Sequence, residues 1–97
     1  MNTDVRDRAA RALAAEGLEA QTWSNQPGFR YGEHDHPYHK VLFCVAGSIT
    51  FHTPRGDLLL TPGNRLDLLP GTRPSATVGP SGVTCMEAVR APNPEFD

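Results

Sequence analysis

Residues 40–53 read KVLFCVAGSITFHT and carry the strongest strand signal in the chain, which predicts two strands, Lys40 to Ala46 and Ser48 to Thr53, separated by Gly47. The second half, Ser48 to Thr53, alternates apolar and polar residues, as expected for a strand with one buried face. The first half, Val41 to Ala46, is apolar on both faces. A sheet packed on one side only buries one face of each strand. We therefore expect an N-terminal helix, a second sheet or another subunit to cover the other face of Val41 to Ala46.

The rest of the chain after this stretch alternates short β-like runs with turn signals. Further strands are predicted at Asp57 to Thr61, Arg65 to Leu69 and Val83 to Arg90, and the Gly and Pro turn signals recur mostly every seven to ten residues. Regular spacing of this kind predicts an all-β antiparallel barrel or sandwich. All nine prolines and eight of the nine glycines lie after residue 26. Long helices are excluded there, because proline breaks helices and glycine weakens them.

The N-terminal segment is the exception. The segment Thr3 to Glu16 contains neither Gly nor Pro and has apolar residues at helical spacing. Two of its acidic residues are each followed, four residues later, by a basic residue. The segment therefore predicts one short amphipathic α-helix. The prolines after Ala91 predict a loosely held tail. We expect a helix over residues 1–18, a barrel over residues 19–90 and a C-terminal extension over residues 91–97.

The composition limits the class of protein. A chain of 97 residues forms one domain, and 38% hydrophobic residues with a net charge of -2 argue against wholesale disorder and against a nucleic-acid partner. No apolar run approaches the roughly 20 residues of a membrane span, and the N-terminus lacks a secretory pattern. With two cysteines only, Cys44 and Cys85, we expect a reduced, cytoplasmic protein in which both pack in the core.

Three of the four histidines fall within six residues: His34, His36 and His39. On an extended strand, residues two apart project from the same face, so His34 and His36 can converge on one ion. Neutral imidazole is a good ligand for zinc, copper, iron or nickel. His39 is a weaker third candidate, because Pro37 can break the strand and shift the face on which His39 lies. His52 lies on a polar strand face and is expected to be exposed to solvent.

The spacing after these histidines resembles the first motif of the cupin superfamily. That motif usually reads His-x-His, three or four residues, Glu, six residues and Gly, and here the corresponding positions are His34, His36, Lys40 and Gly47. A second motif usually reads Gly, five residues, Pro-x-Gly, two residues, His, three residues and Asn, and here residues 63–78 match it at Gly63 and Gly71. The resemblance covers most of residues 28–90. It implies a double-stranded β-helix, the jelly-roll barrel of the cupins.

The resemblance also implies a metal site, from which this chain departs at two positions. Cupins usually hold the metal with two His and one Glu of the first motif and one His of the second. Lys40 stands at the Glu position and Pro74 at the last His position, and neither a protonated lysine nor a proline side chain offers a lone pair. Three replacements are open: His39 turned into the site, a Cys44 thiolate, or Lys40 in its neutral form.

Lys40 also permits a site without a metal. If its position faces the barrel lumen, its ammonium can pair with a carboxylate or phosphate on a small ligand. The aromatic walls of such a pocket would come from Trp23, Phe29 and Tyr31. The alternative is that Lys40 reaches the mouth of the barrel and pairs with Glu33 or Asp35.

Together these expectations describe a minimal single-domain cupin that binds a metal ion or a small molecule in the lumen around His34 and His36. The metal would be one divalent transition ion, with Zn, Fe, Ni, Mn and Cu all open, and it is expected to be either weakly held or absent. Two other functions are open: a metal-dependent enzyme of the oxygenase or isomerase type, and a structural dimer with a vestigial pocket. We expect a homodimer, because Val41 to Ala46 is apolar on both faces and because cupins commonly pair.

Overall fold

A computed structural model describes residues 2–33, 37–72 and 74–90 of the chain. Within these ranges one helix precedes six strands: α1 (Asn2–Ala15), β1 (Gln21–Asn25), β2 (Arg30–Tyr31), β3 (His39–Thr53), β4 (Gly56–Leu60), β5 (Arg65–Leu68) and β6 (Ser75–Arg90). The predicted class, all-β with one short N-terminal helix, is confirmed. The described part of the chain contains no helix that is both long and apolar enough to cross a membrane.

The two longest strands, β3 and β6, run antiparallel, and each contributes to two sheets. The first half of β3, residues 39–47, pairs with residues 83–90 of β6, whereas residues 49–52 pair with residues 75–78. β1 and β5 flank the first pairing, which we call sheet I, in the order β1-β6-β3-β5. β2 and β4 flank the second, sheet II, in the order β2-β6-β3-β4. Two antiparallel four-stranded layers that share their central strands form the double-stranded β-helix.

Both long strands bend where they pass from one sheet to the other. The register of β3 against β6 shifts between Cys44 and Ala46 and again between Gly47 and Ile49. Gly47 has a φ of 70°, and a Cβ at this position would lie 2.0 Å from the carbonyl oxygen of Gly82. Only glycine accepts both the left-handed backbone and this contact, so Gly47 allows the two strands to cross closely.

Two predicted strand boundaries are wrong because of these bends. The runs Lys40 to Ala46 and Ser48 to Thr53 are one continuous strand rather than two, and Gly47 marks a bulge within it. Likewise β6 begins at Ser75 rather than Val83, and the turn signals from Gly79 to Gly82 lie inside the strand. A glycine that permits a bend and a glycine that ends a strand have the same signature in a sequence.

The two sheets face each other across one apolar core. Its buried members come from both sheets and pack as one cluster: Leu42, Cys44, Ile49, Phe51, Leu60, Leu68, Ala76, Val78, Val83 and Cys85. A second cluster lies on the outer face of sheet I, where the fully buried Leu13 of α1 packs against Val41 and Ala88. Of the three covers considered from the sequence for the second apolar face of β3, the structure shows the helix. A partner subunit is not needed to bury that face, and the homodimer stays a prediction.

Ion pairs join the end of α1 to sheet I. Arg65 Nη1 lies 2.5 Å from Glu16 Oε2, and Arg65 Nε lies 2.6 Å from Asp67 Oδ1, while Arg90 also contacts Glu16. His39 Nε2 lies 2.8 Å from Asp67 Oδ2. The hydrogen bond from Arg65, followed by that from His39, lowers the pKa of Asp67 to about 2. These pairs fix the helix over the strands that form one side of the lumen.

Candidate functional site

A cavity of about 330 Å³ opens between the two sheets. Its apolar wall is formed by Leu42, Ile49, Phe51, Leu68, Pro74 and Ala76. Its polar and aromatic groups are Trp23, Ser24, Asn25, Tyr31, Lys40, Ser75 and Glu87. The volume is at the small end of the roughly 300–1,000 Å³ of known small-molecule sites, and a mostly apolar wall with a few placed polar groups is their usual composition.

Lys40 projects into this cavity and forms an ion pair there. Alternation along β3 places Lys40 and Leu42 on the inner face, and alternation along β6 places Cys85 and Glu87 on the facing side. Lys40 Nζ lies 3.5 Å from Glu87 Oε2, and the two side chains are only 16% and 20% exposed. This distance is longer than a direct N–H···O hydrogen bond, so the ammonium is only loosely held.

Glu87 is held more firmly than Lys40, because the Trp23 indole Nε1–H donates to Glu87 Oε1 at 2.7 Å. Glu87 is a candidate site residue that was not predicted from the sequence. A signal for it was present: within the predicted strand Val83 to Arg90, it has the same parity as Cys85, which was expected in the core. A carboxylate on the inner face of a strand is unusual enough to mark a candidate site.

Two of the three predicted aromatic residues line the cavity. Trp23 and Tyr31 meet edge to face, with 5.7 Å between their ring centroids, and Asn25 Nδ2 donates to the Tyr31 hydroxyl oxygen at 2.7 Å. The third, Phe29, packs on Tyr31 with 4.8 Å between centroids but is not among the residues that line the cavity. It therefore supports the wall from behind.

The predicted metal-binding histidines are only partly covered by the structure. His34 and His36 lie outside the described residues. His39 is described, and strand alternation places it on the Val41 face of β3, opposite to Lys40, where it bonds to Asp67. Among the described residues, the ion-pair partner of Lys40 is Glu87. Of the two acidic residues considered from the sequence, Glu33 and Asp35, the second lies outside the described residues.

His52 is not simply a solvated histidine. Its Nδ1 lies 2.9 Å from Asp57 Oδ1 and its Nε2 lies 2.9 Å from Thr77 Oγ1, and its side chain is 38% exposed. These bonds cross three strands of sheet II on the face opposite to the cavity. The expectation of an exposed side chain is therefore met only in part.

Comparison with known proteins gives a clear answer for the fold. No protein-family model matches this sequence, and a search of curated proteins gives no match. Solved structures do match. A double-stranded β-helix protein from Klebsiella pneumoniae is 22% identical, with a TM-score of 0.65 over 76% of this chain and 67% of that one. A cupin domain from Bordetella pertussis is 22% identical, with a TM-score of 0.58 over 76% of this chain and 82% of that one. This chain has the cupin fold.

Some of the similar solved structures are of enzymes. A DMSP lyase from Ruegeria pomeroyi is 25% identical, with a TM-score of 0.65. The match covers 76% of this chain but only 38% of the lyase chain. The chain described here therefore corresponds to less than half of that enzyme.

The described part of the cupin lumen does not fit the metal usual in this fold. Among the residues that the structure describes, no group of three or more His, Cys, Asp or Glu side chains could hold an ion. Lys40, at the usual Glu position, points into the cavity as a cation beside Glu87. Pro74, at the usual His position, lines the same cavity and has no donor atom. An ammonium repels a divalent cation and a proline side chain has no lone pair, so neither position supplies the ligand that is usual there.

Proposed function

We propose that this cupin domain binds a small organic acid in the cavity, with the carboxylate of the ligand at Lys40 and its apolar part between the two sheets. The observation that carries the proposal is the position of Lys40, which places a loosely paired ammonium inside a mostly apolar cavity. Pockets that combine an apolar wall with one charged group bind ligands of matching polarity.

The ammonium has bonding capacity for such a ligand. A lysine ammonium has three N–H groups that can donate hydrogen bonds. The 3.5 Å contact with Glu87 uses at most one of them. Charge-assisted hydrogen bonds contribute more than neutral ones, on the order of 1.5–3 kcal/mol. A carboxylate should therefore bind markedly better than a neutral compound of the same shape.

The ligand size follows from the cavity. At about 330 Å³ the cavity suits a compact acid such as hexanoate or benzoate. The rings of Trp23 and Tyr31 provide flat surfaces against which an aliphatic chain or an aromatic ring can pack.

The test is a titration of the protein with acids and their matched amides. Trp23 is the only tryptophan in the chain and lines the cavity, so its fluorescence can report binding, with calorimetry as a second measurement. We expect hexanoate or benzoate to bind about tenfold or more tightly than hexanamide or benzamide. Equal affinity for acid and amide would contradict the role of Lys40.

Two variants make this test specific. Lys40→Met keeps the apolar stem and removes the charge, so it should abolish the preference for acids over amides. Arg55→Met is the matched control, because it removes one positive charge from the exposed turn between β3 and β4, outside the cavity. If both variants weaken acid binding equally, the effect is that of net charge, and the proposed site is wrong.

A further inference from the structure

Cys44 and Cys85 are two nucleophilic side chains that the proposed function does not use. Both are free, and both are fully buried in the core between the sheets. They face each other directly in the register of β3 and β6. Both lie on the inner faces of their strands, below the cavity, since Cys44 follows Leu42 and Cys85 precedes Glu87 at a spacing of two residues.

The backbone hydrogen bonds show what kind of pair this is. The Cys44 N–H donates to the Asn64 carbonyl oxygen at 3.1 Å, and the Gly63 N–H donates to the Cys44 carbonyl oxygen at 2.9 Å. The backbone groups of Cys44 therefore face the β5 side of β3, away from β6. Cys44 and Cys85 thus form a non-hydrogen-bonded antiparallel pair, the type in which the Cα atoms are closest, at about 4.5 Å.

We propose that Cys44 and Cys85 are a reversible redox site that a hydroperoxide converts into a cross-strand disulfide. Disulfides span Cα separations of about 4.4–6.8 Å, so the expected separation of this pair is at the short end of the permitted range. The bond would join the two central strands of sheet I at the floor of the cavity.

The two thiols have different roles in the reaction. The hydrogen bond with Cys44, followed by burial, raises the pKa of the Cys85 thiol and so disfavours its thiolate. The thiolate is the nucleophilic form of cysteine, so the attack is assigned to Cys44, whose Sγ lies 3.6 Å from the carbonyl oxygens of Ala46 and Gly47 at the bulge of β3. Cys85 is the resolving thiol.

The reaction balances with one hydroperoxide for each protein molecule. The Cys44 thiolate attacks one oxygen of the hydroperoxide, the O–O bond breaks, and the other oxygen leaves with a proton as water or an alcohol. This step gives a sulfenic acid at Cys44. The Cys85 sulfur then attacks the Cys44 sulfur, the S–O bond breaks, and water leaves with the Cys85 proton. Two thiols supply the two electrons that reduce the peroxide.

The decisive experiment exposes the native protein to hydrogen peroxide and measures its intact mass after denaturation. We expect a monomer lighter by two hydrogen atoms, with no titratable thiol left, and recovery of both thiols with dithiothreitol. Cys44→Ala and Cys85→Ala are the matched controls, and neither should give this mass. A product heavier by oxygen atoms with no disulfide, or a disulfide between two chains, would overturn the proposal.

A second measurement needs no variant. A disulfide that fits the native strands should stabilise the fold, with a Tm about 10 °C higher in the oxidised protein than in the reduced protein. An oxidised protein with an unchanged or lower Tm would show that the bond forms only by distorting the strands. That result would contradict a built-in redox site.

Discussion

At the scale of single residues, the cavity is defined by the balance of charge between Lys40 and Glu87. Glu87 is anchored by Trp23 at 2.7 Å and so cannot swing freely away from the ammonium. A ligand carboxylate must therefore share Lys40 with a fixed anion. If the cavity binds an acid as proposed, this competition should weaken its binding.

The variant Glu87→Gln tests this balance. Gln keeps an oxygen that can accept the Trp23 N–H and removes the competing charge, so we expect hexanoate to bind several-fold more tightly. The unpaired ammonium should lower the free energy of unfolding by about 1 kcal/mol. Fluorescence titration and chemical denaturation measure the two effects, with the exposed Glu19→Gln as control. Weaker acid binding in Glu87→Gln would show that Glu87 positions the ligand rather than competing with it.

Asp67 gives a prediction about pH. Its pKa in the folded protein is about 2, below the ordinary value of 3.8, so its ionised form stabilises the fold above about pH 4. That contribution should be lost as the pH falls from about 4 to about 2, where the carboxylate becomes protonated. Thermal unfolding followed by circular dichroism should show a smaller loss of Tm over this interval in Asp67→Asn than in the wild type.

The control for Asp67 is Asp4→Asn, which breaks the exposed pair between Asp4 and Arg8 on α1. It should leave the pH dependence close to that of the wild type, because exposed pairs within one helix contribute little. If the wild type and Asp67→Asn lose the same amount of Tm as the pH falls, ionised Asp67 does not stabilise the fold as predicted.

At the scale of elements, Gly47 should be the least replaceable of the turn-type glycines. Gly47→Ala places a methyl group against the Gly82 carbonyl oxygen and imposes a left-handed φ on alanine, so we expect a loss of at least about 3 kcal/mol. Gly63→Ala has a positive φ but open space around it, and should cost about 1 kcal/mol. Urea denaturation of both variants measures the difference. Equal losses would mean that the crossing of β3 and β6 is not tight.

The same elements show what could be predicted from the sequence. The burial of β3 could be predicted, because a buried strand face leaves a local pattern in the sequence. One buried face follows from the alternation in Ser48 to Thr53, and two buried faces follow from the apolar run Val41 to Ala46. The bends and the Lys40–Glu87 pair were not predicted. Lys40 and Glu87 are far apart in the chain, and their contact depends on the register of β3 against β6. That register is set by long-range packing and by two bulges, which leave no local pattern.

At the scale of the whole molecule, the described residues pack in two hydrophobic clusters. The core between the sheets and the smaller cluster under α1 are both apolar, and the part of the chain that the structure describes holds no group of three potential ligands. Folding is linked to a metal only when the ion binds the native state much more tightly than the unfolded chain. The site predicted from the sequence for such an ion centres on His34 and His36.

A chelator therefore distinguishes a metal site in the lumen from a site for an organic acid. We expect EDTA to leave the Tm of the purified protein unchanged, because an apolar core does not depend on an ion. Hexanoate at about 100 times its Kd should raise the Tm, since a ligand at that concentration adds about 2.7 kcal/mol to the native state. Scanning calorimetry measures both, and Lys40→Met should lose the response to hexanoate only. A different result would instead establish a histidine-centred metal site. In that case the Tm of the wild type would fall with EDTA and recover with one divalent ion, and the Tm of the variant His34→Ala/His36→Ala would not respond to EDTA.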